Sequence, residues 1–508
     1  MRLGIDFGTT RTRVAAAIKG NFPLITFQED RGGGADWYPS LIAVQEDRFA
    51  FGLRAQAVRH EPDWEVLGSF KRLLSDANPD TVWKLGGLEL PAIEWLTRFF
   101  AALRTDLLQR SNLDVARRER IEVMVGIPAN ANSNQRFLTL EAFARTGFEV
   151  IGMLNEPSAA GMEFAHRYRG ADLTRRHEHV VVYDLGGGTF DVSVVSMVGQ
   201  QHEVLASEGI TRLGGDDFDE SLFELALAEA SLSSSSLPVP RSRFLTICRE
   251  AKESITPNSR KILLDFGQLD AGLGEVVVPV AQFYDKCLPL IVRTIGATEA
   301  AVQKALGTAA RDVPGLVAVY LVGGTCELPI LARALRNRFG KKVRRSPYPS
   351  AATAIGLAIA ADQESGYTVQ DRFSRHFGVW REAESGQRIT FDAIFGKDTP
   401  LPKPGQPPLV VRRRYCPTHN IGRFRFLECS TLGEGHEPTG DILSWNEMTF
   451  PFDTTLAEDP RLESIPVERT PEVERYEIEE MYECDTSGVI QVTITNLVTG
   501  HTRAARVR

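Results

Sequence analysis

Cysteine is scarce in this sequence, and what there is lies scattered. The six cysteines (Cys248, Cys287, Cys326, Cys416, Cys429 and Cys484) form no C-x-x-C pair and have no histidine at ligand spacing. That argues against a zinc module or a disulfide scaffold and fits a reducing compartment. Long apolar runs are missing as well: the longest small and apolar stretch, Ala351 to Ala361, has eleven residues, against the roughly 20 needed to span a bilayer. The first residues, MRLGIDFGTT, meet an aspartate at position 6, so no signal-peptide core forms. Positive charge is in deficit, with 58 Lys and Arg against 66 Asp and Glu and a formal net charge of −8. Bulk attraction to nucleic acid or an anionic membrane is therefore not expected, and a soluble cytoplasmic protein is. What is present is ordinary globular material: 508 residues, 43% hydrophobic and 24% charged, enough for two to four domains at about 150 residues each.

Strand-like and helix-like segments alternate over residues 1–365. Examples are IEVMVGIP (121 to 128), the helical stretch Asn134 to Arg145, VVVYDLGGGTFDVSVVSM (180 to 197) and Val317 to Val322. This is an α/β pattern. From Phe377 onward the helical periodicity fades, and short alternating runs such as IGRFRFLEC (421 to 429) and VIQVTIT (489 to 495) take over. The pattern there is all-β. Between them QESGYTVQDRFSR is polar and aperiodic, so the expected division is 1–365, a linker at 366–376, and 377–508. Glu463 to Asp485, with nine acidic and two basic residues, reads as a solvated face or mobile loop.

The most informative internal feature is a near-repeat. IDFGTTRTRVAAA (5 to 17) is matched by YDLGGGTFDVSVV (183 to 195): an apolar strand ending in Asp, a tight turn rich in Gly with Thr, and a second apolar strand. Two such hairpins suggest two related halves facing one another. A turn of this kind can aim several backbone N–H groups and a hydroxyl at one spot, and glycine lets a phosphate come close. Asp6 and Asp184 at the strand ends would then lie near each other. Magnesium takes one or two carboxylates, keeps waters and binds substrate phosphates. One such hairpin alone is only a turn; two copies plus a third Gly-rich strand end, VYLVGGT (319 to 325), point to a nucleotide clamp.

These residues resemble the nucleotide-binding domain of the heat-shock protein 70 (DnaK-like) chaperones, within the actin, hexokinase and chaperone ATPase superfamily. The matching motifs run in order: IDFGTT, SFKRLL (69 to 74), VGIPANANSNQR (125 to 136), LNEPSAAG (154 to 161), YDLGGGTFD (183 to 191), RLGGDDFD (212 to 219), LVGGTCELP (321 to 329) and AIGLAIAA (354 to 361). Past the linker, FDAIFGKDTPLP (391 to 402) and DTSGVIQVTITNLVTG (485 to 500) look like the family's β-sandwich peptide-binding domain. The resemblance implies a duplicated actin/hexokinase-like α/β ATPase domain followed by an all-β sandwich.

It also implies roles for particular residues. Asp6 and Asp184 would sit at a magnesium ion, and Lys71, Glu156, Thr189 and Asp191 would serve hydrolysis. Gly8, Thr9, Thr10, Gly186, Gly187, Gly188, Thr189, Gly214, Gly215, Gly323, Gly324 and Thr325 would surround the nucleotide, with Lys252 and Thr256 at the ribose. Pro128 and Arg136 match residues that relay nucleotide state toward the peptide domain. The implied cofactors are ATP or ADP and Mg²⁺, with K⁺ as a further cation. The implied partners are unfolded or extended polypeptides, a J-domain co-chaperone and a nucleotide exchange factor, with no nucleic acid and no membrane.

The sequence also departs from the family. Two arginines usually hold the adenine, and their positions here carry Glu253 and Glu327, which cannot stack as a guanidinium does. Ser350 stands where the family often has aspartate. Weaker ATP affinity or relaxed base selectivity is therefore expected. In the linker strand YTVQD (367 to 371) only Val369 is aliphatic, which points to weaker interdomain coupling. The chain stops at Arg508 directly after its last β-like segment, so no helical lid and no acidic Glu-Glu-Val-Asp tail are expected. Of the net charge, 15 basic and 21 acidic residues in 377–508 account for −6, leaving the nucleotide clamp nearly neutral and arguing against acidic clients.

Two functions follow from this reading. The first is an ATP-hydrolysing chaperone that couples hydrolysis to binding of extended polypeptide, favoured by Lys71, Asp6, Asp184 and Thr189. The alternative is a low-activity nucleotide-binding co-chaperone or client-specific scaffold, favoured by the lost arginines and linker leucines. A sugar kinase or filament protein of the same superfamily is disfavoured by the NEPSAAG and GGTCELP series.

Overall fold

The computed structural model describes residues 1–29, 32–61, 63–114, 120–168, 178–235, 237–270, 272–307, 315–383, 388–403, 405–445 and 447–506. Its contacts divide the chain into two compact units. The first comprises Met1–Asp76, Asp80–Asn130 and Ala142–Val369, and the second Ala77–Pro79, Ala131–Glu141 and Gln370–Arg508. Pro128 lies in the first unit, whereas Arg136 lies in the short segment grouped with the second.

The first unit is mixed α/β and repeats one motif. A five-stranded sheet runs Glu149–Asn155, Glu122–Ile127, Arg2–Phe7, Arg11–Ala17, Tyr38–Pro39; a six-stranded sheet runs Val343–Arg345, Leu316–Val322, Glu178–Leu185, Phe190–Val198, Gln201–Ile210, Thr368–Gln370. Each is built on a hairpin whose first strand also has a parallel neighbour: Arg2–Phe7 beside Glu122–Ile127, and Glu178–Leu185 beside Leu316–Val322. The near-repeat in the sequence thus becomes two equivalent hairpins at the centres of two sheets. These strands are buried on both faces, which explains why they read as nearly continuous apolar runs.

The small and apolar run Ala351 to Ala361 forms the buried helix Ala352–Ala361. Its close fit needs glycine at Gly356, where a Cβ would fall 1.8 Å from the Ala159 carbonyl oxygen on helix Glu156–Tyr168. Among the described residues no helix is long and apolar enough to cross a membrane. Strand Thr368–Gln370 extends the edge of the six-stranded sheet, and there Tyr367 joins Val369 in packing on the core. An aromatic ring therefore supplements the single aliphatic side chain noted in the sequence.

The second unit is built of antiparallel strands. One four-stranded sheet runs Arg388–Phe395, His376–Ala383, Phe426–Leu432, Pro438–Ser444; another runs Leu409–Tyr415, Ile478–Cys484, Ile490–Asn496, Thr502–Arg506. Ile478–Cys484 and Ile490–Asn496 alternate buried and less buried positions, so one face of each feeds a core containing Phe377, Phe426, Tyr482 and Val492. The run 421 to 429 breaks at Arg425: Ile421–Phe424 pairs with Met448–Pro451, while Phe426–Leu432 joins the first sheet. The acidic run 463 to 485 is not all solvated. Glu480 is fully buried and accepts hydrogen bonds from Arg381 at 3.0 and 2.7 Å.

Candidate functional site

The two hairpins deliver their aspartates by register. Asp6 lies opposite Arg13 in the first, and Asp184 opposite Asp191 in the second. Lys71 arrives on the short 3-10 helix Phe70–Ser75, whose Phe70 and Leu74 are buried as anchors. Glu156 opens helix Glu156–Tyr168 at the end of strand Glu149–Asn155, where a carboxylate also suits the helix dipole. Lys71 Nζ donates to Glu156 Oε1 at 2.6 Å, with both side chains buried.

Backbone contacts shape the turns. Gly186 N–H donates to the Thr189 carbonyl oxygen at 3.1 Å, closing the second turn, and Gly215 and Asp216 N–H donate to the Gly186 and Gly187 carbonyls at 2.9 and 2.8 Å. Thr325 Oγ1 donates to the Gly186 carbonyl at 2.8 Å, joining the third Gly-rich strand end to the second hairpin. Glycine is required at Gly323, which has φ +85° and would place a Cβ 2.3 Å from the Leu185 carbonyl oxygen. Lys252 is fixed by Asp219 at 2.6 Å and by the Gly215 carbonyl at 2.7 Å.

Most residues singled out in the sequence line one cavity: Asp6, Gly8, Thr9, Thr10, Lys71, Glu156, Asp184, Gly186, Gly187, Thr189, Gly215, Lys252, Gly323, Gly324 and Thr325, with Ser350 among them. Gly188, Gly214 and Asp191 are not part of that lining. Asp191 is buried and its Oδ1 accepts the Asn130 N–H at 3.2 Å. Thr256 is exposed, its hydroxyl 3.1 Å from that of Ser259, and lines neither this cavity nor the next. A second cavity of about 170 Å³ shares Arg11, Lys252, Glu253, Gly324 and Thr325 with the first, and Glu327 lines it too.

Burial and mutual repulsion act together on the carboxyls around Lys71. Burial, then the Glu156 carboxylate, push the Asp6 carboxyl up to about 7 against the pull of Lys71 and Arg13. Asp191 is pushed up to about 7 by burial and by Glu156. Asp184 is held well above the ordinary range by burial and by Glu156, Asp6 and Asp191. Burial alone would lower the Lys71 ammonium, but Glu156, Asp6 and Asp191 outweigh it and the net direction is up.

The donor set fits magnesium. Among the described residues no group of three or more His, Cys, Asp or Glu is arranged around a metal position. A cation here would rest on two carboxylates and on water or phosphate oxygens, all hard ligands. The raised carboxyls report burial first and, after it, repulsion among neighbouring carboxylates that Lys71 does not outweigh.

The sequence reading missed Arg11, Arg13, Asp216 and Arg249, which also line the first cavity. Arg249 bridges Asp216 Oδ1 at 2.7 Å and Asp219 Oδ2 at 2.9 Å. Its signal was available, because Arg249 and Lys252 are three residues apart on helix Arg241–Glu253 and share a face. Arg11 had no signal beyond following the Thr9–Thr10 turn.

Comparison with known proteins adds an independent line. The family model described as Hsp70 protein matches residues 106–373. The chaperone protein HscA homolog of Bordetella petrii is 31% identical over 388 residues, covering 72% of this chain and 58% of that protein. Chaperone protein HscA of Proteus mirabilis is 29% identical over 373 residues, covering 71% and 57%. The HscA homolog of Pseudomonas aeruginosa is 29% identical over 383 residues, covering 72% and 58%. The chain thus spans little more than half the length of the relatives it matches.

Proposed function

The chain belongs to the Hsp70 family, and on that premise we propose that it is an ATP-dependent chaperone. In this reading residues 1–365 are an actin/hexokinase-like ATPase domain, 366–376 a linker, and 377–508 a β-sandwich that binds unfolded or extended polypeptide. The observation that carries the ATPase assignment is the buried Lys71–Glu156 pair at 2.6 Å, set with Asp6 and Asp184 in a cavity rimmed by three Gly-rich turns, with the buried Asp191 close behind it.

The residues divide the work. Lys71, pinned by Glu156, holds a fixed positive charge where negative charge develops on a transferring phosphoryl group. Glu156 and Asp191 offer acceptors that orient an attacking water, and Thr189 a hydroxyl beside it. The turns at Gly8 to Thr10, Gly186 to Thr189 and Gly323 to Thr325 present N–H groups and hydroxyls to phosphate, with Gly214, Gly215 and Lys252 flanking them. Asp6 and Asp184 would hold magnesium, which when bound supplies the charge that offsets theirs and the phosphates'. K⁺ is a further candidate cation, and the proposed partners are client polypeptides, a J-domain co-chaperone and a nucleotide exchange factor.

Single-turnover ATP hydrolysis by wild type and Lys71→Ala tests the reading. The variant is expected to lose about 10²–10³-fold in rate; equal rates overturn the ATPase assignment. The alternative, a low-activity co-chaperone or scaffold, is favoured by Glu253 and Glu327 at the second cavity. Slow turnover of bound ATP with undiminished polypeptide binding would select it.

A further inference from the structure

A nucleotide has a flat base as well as phosphates, and the two adjoining cavities offer few flat partners. Among the described residues no aromatic side chain lines either of them. The cations on helix Arg241–Glu253 are already engaged: Lys252 by Asp219, and Arg249 by Asp216 and Asp219. Ile255 and Leu328 give the second cavity an apolar floor without a plane to stack on.

Arg11 is different. It lines both cavities, at their junction. One face of its guanidinium lies on the half-buried Trp37 indole, 4.7 Å from the ring centroid. Its edge is held from the opposite wall of the cleft, where Glu253 Oε2 accepts from Nη2 at 2.5 Å. The Arg11 side chain nevertheless keeps 32% of its surface exposed. A guanidinium with one face backed by an indole and one edge fixed by a carboxylate has lost most of its freedom before any ligand arrives, so stacking on its remaining face costs little further entropy.

Building on the nucleotide-binding reading above, we propose that Arg11 is the stacking platform for the nucleotide base and that Glu253 is its positioning residue. The carboxylate at position 253 then acts on the base through Arg11. Affinity for the base and affinity for the phosphates should therefore be separable by changes at these two positions.

The test compares Mg²⁺·ATP with Mg²⁺·tripolyphosphate, which carries the phosphates without a base, by isothermal titration of the full chain. Arg11→Lys keeps a cation able to pair with Glu253 but removes the flat face. It is expected to weaken ATP binding roughly three- to thirty-fold while leaving tripolyphosphate binding unchanged. Glu253→Gln should give a smaller loss, again confined to ATP, and Trp37 fluorescence, read against Trp37→Phe, should respond to ATP but not to tripolyphosphate. An equal loss for both ligands would make Arg11 a phosphate charge, and unchanged ATP affinity would make it a bystander; either result overturns the proposal. If wild type binds tripolyphosphate but not ATP, the base platform alone fails. If it binds neither, the nucleotide reading fails first and this proposal with it.

Discussion

Both units bury carboxylates, but they treat them in opposite ways. In the first unit Asp6, Glu156, Asp184 and Asp191 lie around the Lys71 ammonium, and three of these carboxyls are pushed upward, by burial first. In the second unit Glu480 takes two hydrogen bonds from Arg381, and Asp392 takes bonds from Arg381 at 2.7 Å and Arg413 at 3.0 Å. Burial would raise Asp392, yet the hydrogen bonds from Arg413 and Arg381 outweigh it and hold it below its usual range. A buried cluster matched by arginine is part of the fold, whereas one dominated by burial and mutual repulsion marks a candidate site.

The comparison can be broken most severely at Arg381. Arg381→Met leaves the Glu480 carboxylate buried without its partner, and urea denaturation of the variant should show a loss of about 3–5 kcal/mol. A change under about 1 kcal/mol would mean that the cluster is not what balances Glu480. The next effect is pH dependence of the nucleotide-free, metal-free protein. Asp6 and Asp191 have folded-state values raised to about 7, so the native state binds more protons than the unfolded chain between the ordinary carboxylate range and about 7. Their contribution to stability is complete below that range and is lost as pH rises toward 7. Each of the two should accordingly cost roughly 3 kcal/mol of stability between about pH 4 and 7. The Asp6→Asn, Asp191→Asn double variant should flatten this slope in denaturation curves across pH, and an unchanged slope would reject the cause.

Smaller but opposite in sign is Asp184→Asn. Removing a buried, repelled carboxylate should raise the melting midpoint of the nucleotide-free protein at pH 8, while abolishing magnesium-dependent ATP binding. A drop in stability would place Asp184 with the matched clusters instead. Least affected should be Arg425→Ala, which breaks the exposed Arg425–Glu447 pair at 2.8 Å. Its stability should shift by less than about 0.5 kcal/mol, because water and salt screen such pairs.

Legibility in the sequence followed locality. The hairpins could be read because strand, aspartate and Gly-rich turn are adjacent in the chain, and their repetition gave the two halves of the first unit. Lys71 could be read from SFKRLL only through resemblance, since a lone lysine is ordinarily a surface residue. Arg11 and Glu253 meet across 242 positions, and no periodicity predicts that. The acidic run around Glu480 read as solvated because Arg381, nearly a hundred positions away, is invisible to a local charge count. The break at Arg425 was hidden too, because Phe424 and Phe426 keep their alternation while the pairing partner changes.

The sequence by itself determined the order of strands and turns, the duplicated hairpin, the change from α/β to all-β pattern, and the residue types that can meet a phosphate. These depend on dihedral preference and apolar spacing, which act over a few residues. Only the tertiary structure decided which charges are matched, that Lys71 is spent on Glu156, and that Arg11 lies between Trp37 and Glu253. Coulombic balance and burial depend on distances through space, and those distances exist only once the chain has folded.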